Sequence, residues 1–233
     1  MGVLVRCSGS RPAPGGSATA SADATGRHGD GSGYVAGAIA AFLVGAGPAS
    51  AEPVTLGGIT FSDERCGFVI RGGRGSGTVE DPFVVVEEID DDGPAVLVIR
   101  GLDEVAAGGG LGGGPVGGFA LVKEVTNATG EAWSSFELEL REDLRHPSTY
   151  EDGLSFAQAL PDLRRFTADR FRTVRRIDEP LDAIEFGDGV VRPGETVRLT
   201  LTITDYTPVP EFYLLQQREG NIARLGREHR PAG

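Results

Sequence analysis

The acidic segment from Glu87 to Asp92 holds the residues with the clearest chemical potential in this sequence. Its five carboxylates are Glu87, Glu88, Asp90, Asp91 and Asp92. Carboxylate oxygens are ligands that Ca²⁺ prefers, so the segment is a candidate for weak calcium binding. However, it lacks the loop spacing of an EF-hand, and alternating side-chain directions along a strand scatter neighbouring carboxylates. A solvated turn is the preferred interpretation, and no other metal or cofactor is predicted.

A pair of carboxylates is the second arrangement with catalytic potential. Glu137 and Glu139 alternate along one strand and would share a face about 7 Å apart, and Asp152 and Glu185 are further candidates. Paired carboxylates catalyse glycoside hydrolysis. The run from Gly153 to Ala157 matches only half of a nucleophile elbow, because its last position is alanine and a suitably placed histidine is missing. We therefore expect a non-catalytic protein, with a secreted jelly-roll hydrolase that uses paired carboxylates as the alternative.

Trp133 is the single tryptophan of the sequence, and it stands beside a turn. Its indole ring would either stack on a sugar ligand or cover the turn as a hydrophobic cap, and the second role is the commoner one. Asn127-Ala128-Thr129 matches a glycosylation sequon but is better explained as part of this turn. Cys66 has no spaced partner, so the usual zinc patterns are absent and a small buried side chain is expected there.

The elements that must position these residues are β-strands. Apolar and polar residues alternate from Val197 to Thr204 and from Phe136 to Arg141, which indicates strands buried on one face. Phe83 to Val86 and Ala95 to Ile99 are continuously apolar and predict central strands, joined as a hairpin through an Asp-Gly and Gly-Pro turn. Further strand candidates are Val54 to Phe61, Phe68 to Arg71, Phe119 to Val125, Ala183 to Phe186 and Phe212 to Leu215.

This pattern predicts an all-β fold, an antiparallel β-sandwich or jelly roll, because many short strands occur without a convincing amphipathic helix. The segment from His146 to Arg176 is irregular, and we expect it mainly to form a long connection across one end of the sandwich.

The N-terminal region predicts export. The apolar run from Tyr34 to Gly47 is short for a membrane span and is followed by Ala49-Ser50-Ala51, which is typical of a cleavable signal peptide cut before Glu52. The predicted organisation is a low-complexity, disordered extension (1–33), the signal peptide (34–51), the β-sandwich domain (52–216) and a polar tail (217–233). We expect a secreted or periplasmic protein without a membrane span in its mature form.

The charge balance limits the partners. The net charge is −12, which opposes non-specific attraction to nucleic acid or to anionic lipid surfaces. We expect an exported, non-catalytic binding or envelope-associated structural protein. Its partner would be an unknown extracellular ligand, such as a glycan or an envelope component.

Two stretches carry a resemblance to a known group of proteins. The run from Val125 to Leu140 contains an Asn-x-Thr-Gly turn, then Trp133, then a strand of alternating Phe and Leu, and the run from Asp188 to Thr196 leads into the next such strand. This pattern resembles secreted bacterial β-sandwich proteins of the PEP-CTERM-associated type. The resemblance implies a β-sandwich and export but no catalytic role, and the end from Glu228 to Gly233 departs from the sorting signal of that group.

Overall fold

The computed structural model of the chain describes residues 52–65, 67–107, 117–149, 151–157, 160–163, 165–177 and 181–218. These ranges contain thirteen strands and two short helical segments. The helical segments are α1 (Leu102–Ala107) and a 3₁₀ turn (Pro161–Leu163). Within these ranges, every helix is too short to cross a membrane.

Seven strands form the first sheet, in which every neighbouring pair is antiparallel. Their spatial order is β1 (Val54–Leu56), β2 (Ile59–Ser62), β5 (Ala95–Arg100), β13 (Glu211–Gln217), β7 (Phe136–Arg141), β11 (Ala183–Gly189) and β10 (Phe171–Ile177). Residues Gly57 and Gly58 join β1 to β2 with φ of 56° and 90°. These positive values suit a tight hairpin turn, which divides the single strand predicted from Val54 to Phe61 into two.

The second sheet has five strands along its main path and a sixth beside it. The order along the path is β3 (Val69–Arg74), β4 (Phe83–Ile89), β6 (Gly117–Asn127), β12 (Thr196–Asp205) and β8 (Leu154–Ser155), and β9 (Thr167–Ala168) also pairs with β12. The pair β4 and β6 is parallel, whereas the other pairs are antiparallel. The predicted all-β sandwich is therefore confirmed, but its antiparallel character is incomplete.

The two sheets enclose a single main core. Phe136, Leu138 and Leu140 of the first sheet and Leu199 and Leu201 of the second are fully buried in one hydrophobic cluster. Their alternate positions along β7 and β12 match the period of two that the sequence showed. Burial of these inward faces is the main source of stability for the fold.

The predicted hairpin between Phe83–Val86 and Ala95–Ile99 is wrong. Strand β4 pairs with β3 and β6 in the second sheet, whereas β5 pairs with β2 and β13 in the first. The turn between them therefore crosses from one sheet to the other. The runs from Phe83 to Val86 and from Ala95 to Ile99 are continuously apolar, so they indicated burial but not which strands would pair.

The long connection covers part of β12, but it is more regular than expected. It contributes β8, β9 and most of β10, and Leu199 and Thr200 pair with Ala168 and Thr167. Thr202 is only 2% exposed, and its hydroxyl donates to the Leu163 carbonyl over 2.9 Å. The polar face of β12 is consequently covered at this end, so its later residues are buried on both sides.

Candidate functional site

The acidic segment does not gather its carboxylates at one point. Glu87 points into the core, and Glu88 forms an ion pair with Arg71 at 3.0 Å. Asp91 Oδ1 accepts a hydrogen bond from the Gly93 N–H at 2.6 Å, while Asp90 and Asp92 are exposed. In the described ranges, no group of three or more His, Cys, Asp or Glu side chains is arranged to hold a metal ion.

A guanidinium group occupies the turn that follows the acidic run. Arg218 Nη2 donates to the carbonyl oxygens of Asp91 and Gly93, at 2.5 and 2.8 Å. The same guanidinium lies 5.4 Å from the centroid of the Trp133 ring, within range of a cation–π contact. This turn is thus already engaged by a cation that belongs to the chain.

Trp133 is part of the core, with 3% of its surface exposed. Its Nε1 donates to Thr129 Oγ1 at 3.3 Å, its ring lies 5.7 Å from that of Phe136, and its backbone pairs with Val191. The indole therefore packs beneath the turn instead of offering an open face to a ligand.

Asn127 organises that turn from a fully buried position. Its Nδ2 donates to the carbonyls of Glu131 and Val191 at 2.8 and 3.0 Å, and its Oδ1 accepts from the backbone N–H and the hydroxyl of Thr129. Every hydrogen-bonding atom of the amide is in use. The Asn-x-Thr stretch is accordingly a structural device at this place, as the turn interpretation predicted.

The four carboxylates named for a hydrolase fall in two places. Glu137 and Glu139 lie on the face of β7 opposite its apolar residues and are buried, at 1% and 0% exposure. Arg141 Nε donates to Glu139 Oε1 at 2.6 Å, and Glu185, which pairs with Glu137 in register, forms an ion pair with Arg175. Asp152 is separate from these three.

Asp152 belongs to a group of carboxyls that the sequence did not reveal. Burial, together with the charges of Asp152 and Asp205, raises the pKa of Glu142 to about 7. Burial and the charge of Asp152 likewise raise the pKa of Asp205, which is about 6 although hydrogen bonds from the backbone N–H groups of Thr207 and Val209 oppose the rise. Asp152 itself accepts hydrogen bonds from the backbone N–H groups of Thr149 and Leu154. The strand end at Asp205 and the loops after β7 bring these groups together, which no spacing in the sequence could indicate.

Ser155 of the half-matched elbow lies in β8 and is 5% exposed. Its hydroxyl is 3.2 Å from that of Thr204 on the neighbouring strand. The segment therefore runs as a strand pair here, without the strand-to-helix turn that a nucleophile elbow requires.

A second group that sequence reasoning missed lies in the middle of the sandwich. Glu87 shares the inward face of β4 with Val85 and Ile89, and Lys123 shares that of β6 with Leu121 and Val125. The opposite sheet contributes Gln216, which follows Phe212 and Leu214 on the inward face of β13. The side chains of Lys123 and Glu87 are both 0% exposed. In the sequence, the signal for this group was that Glu87, Lys123 and Gln216 each occupy a position where the alternation of the strand calls for an apolar, inward-facing residue.

The three side chains meet through the carboxyl group of Glu87. Lys123 Nζ contacts Glu87 Oε1 in an ion pair, and Gln216 Nε2 donates to Glu87 Oε2 at 2.9 Å. Gln216 Oε1 is buried and has no hydrogen-bond partner within the described ranges. Burial lowers the pKa of the Lys123 amine, although the charge of Glu87 opposes this effect. An amine and a carboxamide are thus held on the two oxygens of one carboxyl.

Several predicted features fall outside the described residues: the low-complexity extension (1–33), the signal peptide (34–51) with Ala49 and Ala51, Cys66, and the polar tail from residue 219 onward. Glu52, the predicted first residue of the mature chain, is exposed.

The fold and these groups define an all-β, two-sheet protein. The chain has no significant match to a protein-family model, to a curated protein or to a solved structure.

Proposed function

We propose that this chain is an exported β-sandwich protein with a non-catalytic role, in which it binds a glycan or an envelope component or serves as a structural part of the envelope. A signal peptide that is cleaved before Glu52 would direct the export. The sequence supports this proposal through the apolar run and the Ala49-Ser50-Ala51 site.

The observation that carries the non-catalytic role is the way in which the candidate catalytic carboxylates are used. Glu139 is held by Arg141, and Glu185 by Arg175. Asp152 is committed to two backbone N–H groups of its own loop. Carboxylates that form ion pairs and hydrogen bonds within the chain stabilise the fold, and this use supports a non-catalytic role.

A thermal-shift screen of the full chain against glycans, envelope polymers and divalent cations tests the binding role. A ligand that binds the folded state raises the melting temperature, by an amount that grows with its concentration. We expect a shift with a glycan or an envelope polymer. Turnover of one of these polymers by the purified chain would contradict the proposal.

A second candidate function rests on Glu142, Asp152 and Asp205. A carboxyl with a pKa of about 7, such as that of Glu142, holds its proton near neutral pH and can act as a general acid beside an ionised carboxylate. This observation favours a secreted jelly-roll hydrolase that uses these groups in place of Glu137 and Glu139. Hydrolysis that is lost in Glu142→Gln and retained in Glu151→Gln, a change of an exposed carboxylate, would establish this alternative.

A further inference from the structure

The central group of Lys123, Glu87 and Gln216 is surrounded by apolar neighbours. Lys123 pairs in register with Leu199 and Val85, and Gln216 pairs with Leu138 and Ala95. A charged amine and a carboxylate in such a place lose their hydration, and a single ion pair restores only part of that loss. The unpartnered Gln216 oxygen adds a further cost. This buried polar group therefore stabilises the fold less than well-packed apolar side chains would.

We propose that Lys123 and Gln216 react to form an intramolecular isopeptide bond, with Glu87 as the group that transfers the protons. The bond joins Lys123 Nζ to Gln216 Cδ, and ammonia leaves from Nε2. The inference goes beyond the proposed function and does not depend on it.

The reaction balances within the three side chains. The Lys123 ammonium first gives a proton to Glu87, so that a neutral amine faces a neutral carboxyl group. The Nζ lone pair attacks Cδ of the Gln216 amide, Glu87 takes a proton from Nζ and donates one to Nε2, and the C–Nε2 bond breaks. One amide bond forms, one ammonia leaves, and the proton count of Glu87 is unchanged across this step. No oxidant or other co-reactant is needed.

The observed contacts suit the proton transfers of this step. The amine and the leaving nitrogen each contact one oxygen of the same carboxyl group, so one acid–base group serves both. The Gln216 amide presents its nitrogen, the leaving group of the step, to Glu87 Oε2 at 2.9 Å. A dry core favours the neutral amine over the ammonium, and burial lowers the pKa of Lys123 accordingly.

The product would replace a buried ion pair with a neutral amide. It would also join β6 of the second sheet covalently to β13 of the first, so that the two layers could not separate. A cross-link between residues far apart in sequence restricts the unfolded chain, as a disulfide does.

Mass spectrometry of the full chain tests the proposal. We expect the denatured protein to be lighter than its sequence by one ammonia molecule. Trypsin should fail to cleave after Lys123, and fragmentation should identify a peptide pair joined through Lys123 and Gln216. Lys123→Met removes the nucleophile, and Glu87→Gln removes the proton-transferring group, so both variants should keep the full mass. Gln217→Leu is the matched control: it changes the next residue, on the other face of β13, and should retain the loss.

Two outcomes would overturn the proposal. One is a soluble, folded wild-type chain with an unmodified mass and normal cleavage after Lys123. The other is the loss of one water molecule with Lys123 joined to Glu87, which would make Glu87 the acyl group and Gln216 a bystander. The wild-type measurement decides between these results even if a core variant fails to fold.

Discussion

At the scale of single residues, this protein places polar side chains where apolar ones are usual. Lys123, Glu87 and Asn127 are completely buried. Asn127 is satisfied by hydrogen bonds to Glu131 in its own turn and to Val191 on a distant segment, and Lys123 is satisfied by an ion pair with Glu87. Because an unpaired buried polar group is costly, a change at one of these positions should cost more than its size suggests.

Asn127→Ala should destabilise the fold by about 1 to 3 kcal/mol, because the carbonyls of Glu131 and Val191 lose their donor. Denaturant unfolding measures this loss. Thr126→Ala, a half-exposed neighbour on the same strand, should stay within about 0.5 kcal/mol. Equal effects of the two changes would show that the buried amide does not hold the turn.

The carboxyls of Glu142 and Asp205 should make stability depend on pH. Their folded pKa values, about 7 and about 6, stand above the ordinary values of 4.5 and 3.8. The folded state therefore binds protons more tightly, and stability should fall as pH rises from about 4 to about 7 and then level off. Urea unfolding at several pH values measures this slope.

Glu142→Gln should flatten that slope, since the variant carries no proton to lose. Glu151→Gln also removes one carboxylate, but from an exposed position, and serves as the control. If Glu142→Gln shifted stability by the same amount at every pH, the raised pKa of Glu142 would not be the cause.

Calcium should bind weakly or not at all at the segment from Glu87 to Asp92. Lys123, Arg71 and Arg218 already engage this segment, and a site in the remaining carboxylates should have a dissociation constant of about a millimolar, as in extracellular modules. Calorimetric titration checks this expectation. Micromolar binding that disappears in Asp90→Ala and Asp92→Ala would make calcium central to the function.

At the scale of elements, β12 shows how one strand changes its surroundings along its length. Residues before Thr200 alternate between core and solvent, whereas all residues from Leu201 onward are buried. The chain around Leu163 causes this change, because it lies over the polar face and accepts a hydrogen bond from Thr202. Strand β12, although its sequence alternates regularly, is therefore buried on one face at its start and on both faces at its end.

Leu201→Ala should cost about 2 to 5 kcal/mol, because it opens a cavity in the main core. Thr202→Val keeps the volume but leaves the Leu163 carbonyl without its donor, so it should cost about 1 to 3 kcal/mol. Thr200→Val, at the half-buried position before it, is the matched control and should cost less. Equal unfolding free energies for the two Thr variants would contradict the covering role of the Leu163 segment.

At the scale of the whole molecule, the chain crosses repeatedly between the two sheets, which also share one main core. The turn from β4 to β5 is one such crossing, and the Lys123–Glu87–Gln216 group bridges the same two layers through side chains. In the exported protein that we propose, a stable connection between the layers would resist unfolding where chaperones that use ATP are absent.

The exported form should begin at Glu52. Intact-mass analysis of material released by a host cell should show a chain that lacks residues 1 to 51, because Ala49 and Ala51 suit the pockets of signal peptidase. Ala51→Arg should block this processing. Recovery of the wild-type chain only in membranes, with the apolar run retained, would refute the cleavage prediction.

Local pattern determined much of the fold. Alternation identified β7 and β12, apolar runs identified β4 and β5, and the Asn-x-Thr-Gly stretch identified the turn above Trp133. These features depend on residues close in sequence, whose side-chain directions follow from the period of a strand.

Only the tertiary structure decided which strands and which polar groups would meet. It placed β4 and β5 in different sheets, joined Lys123 and Glu87 to Gln216 across the core, and brought Glu142 near Asp205. A residue's place in the alternation states which face it occupies but not what packs against that face. Contacts between distant strands depend on how the whole chain buries its apolar surface, so they arise only when both sheets are assembled.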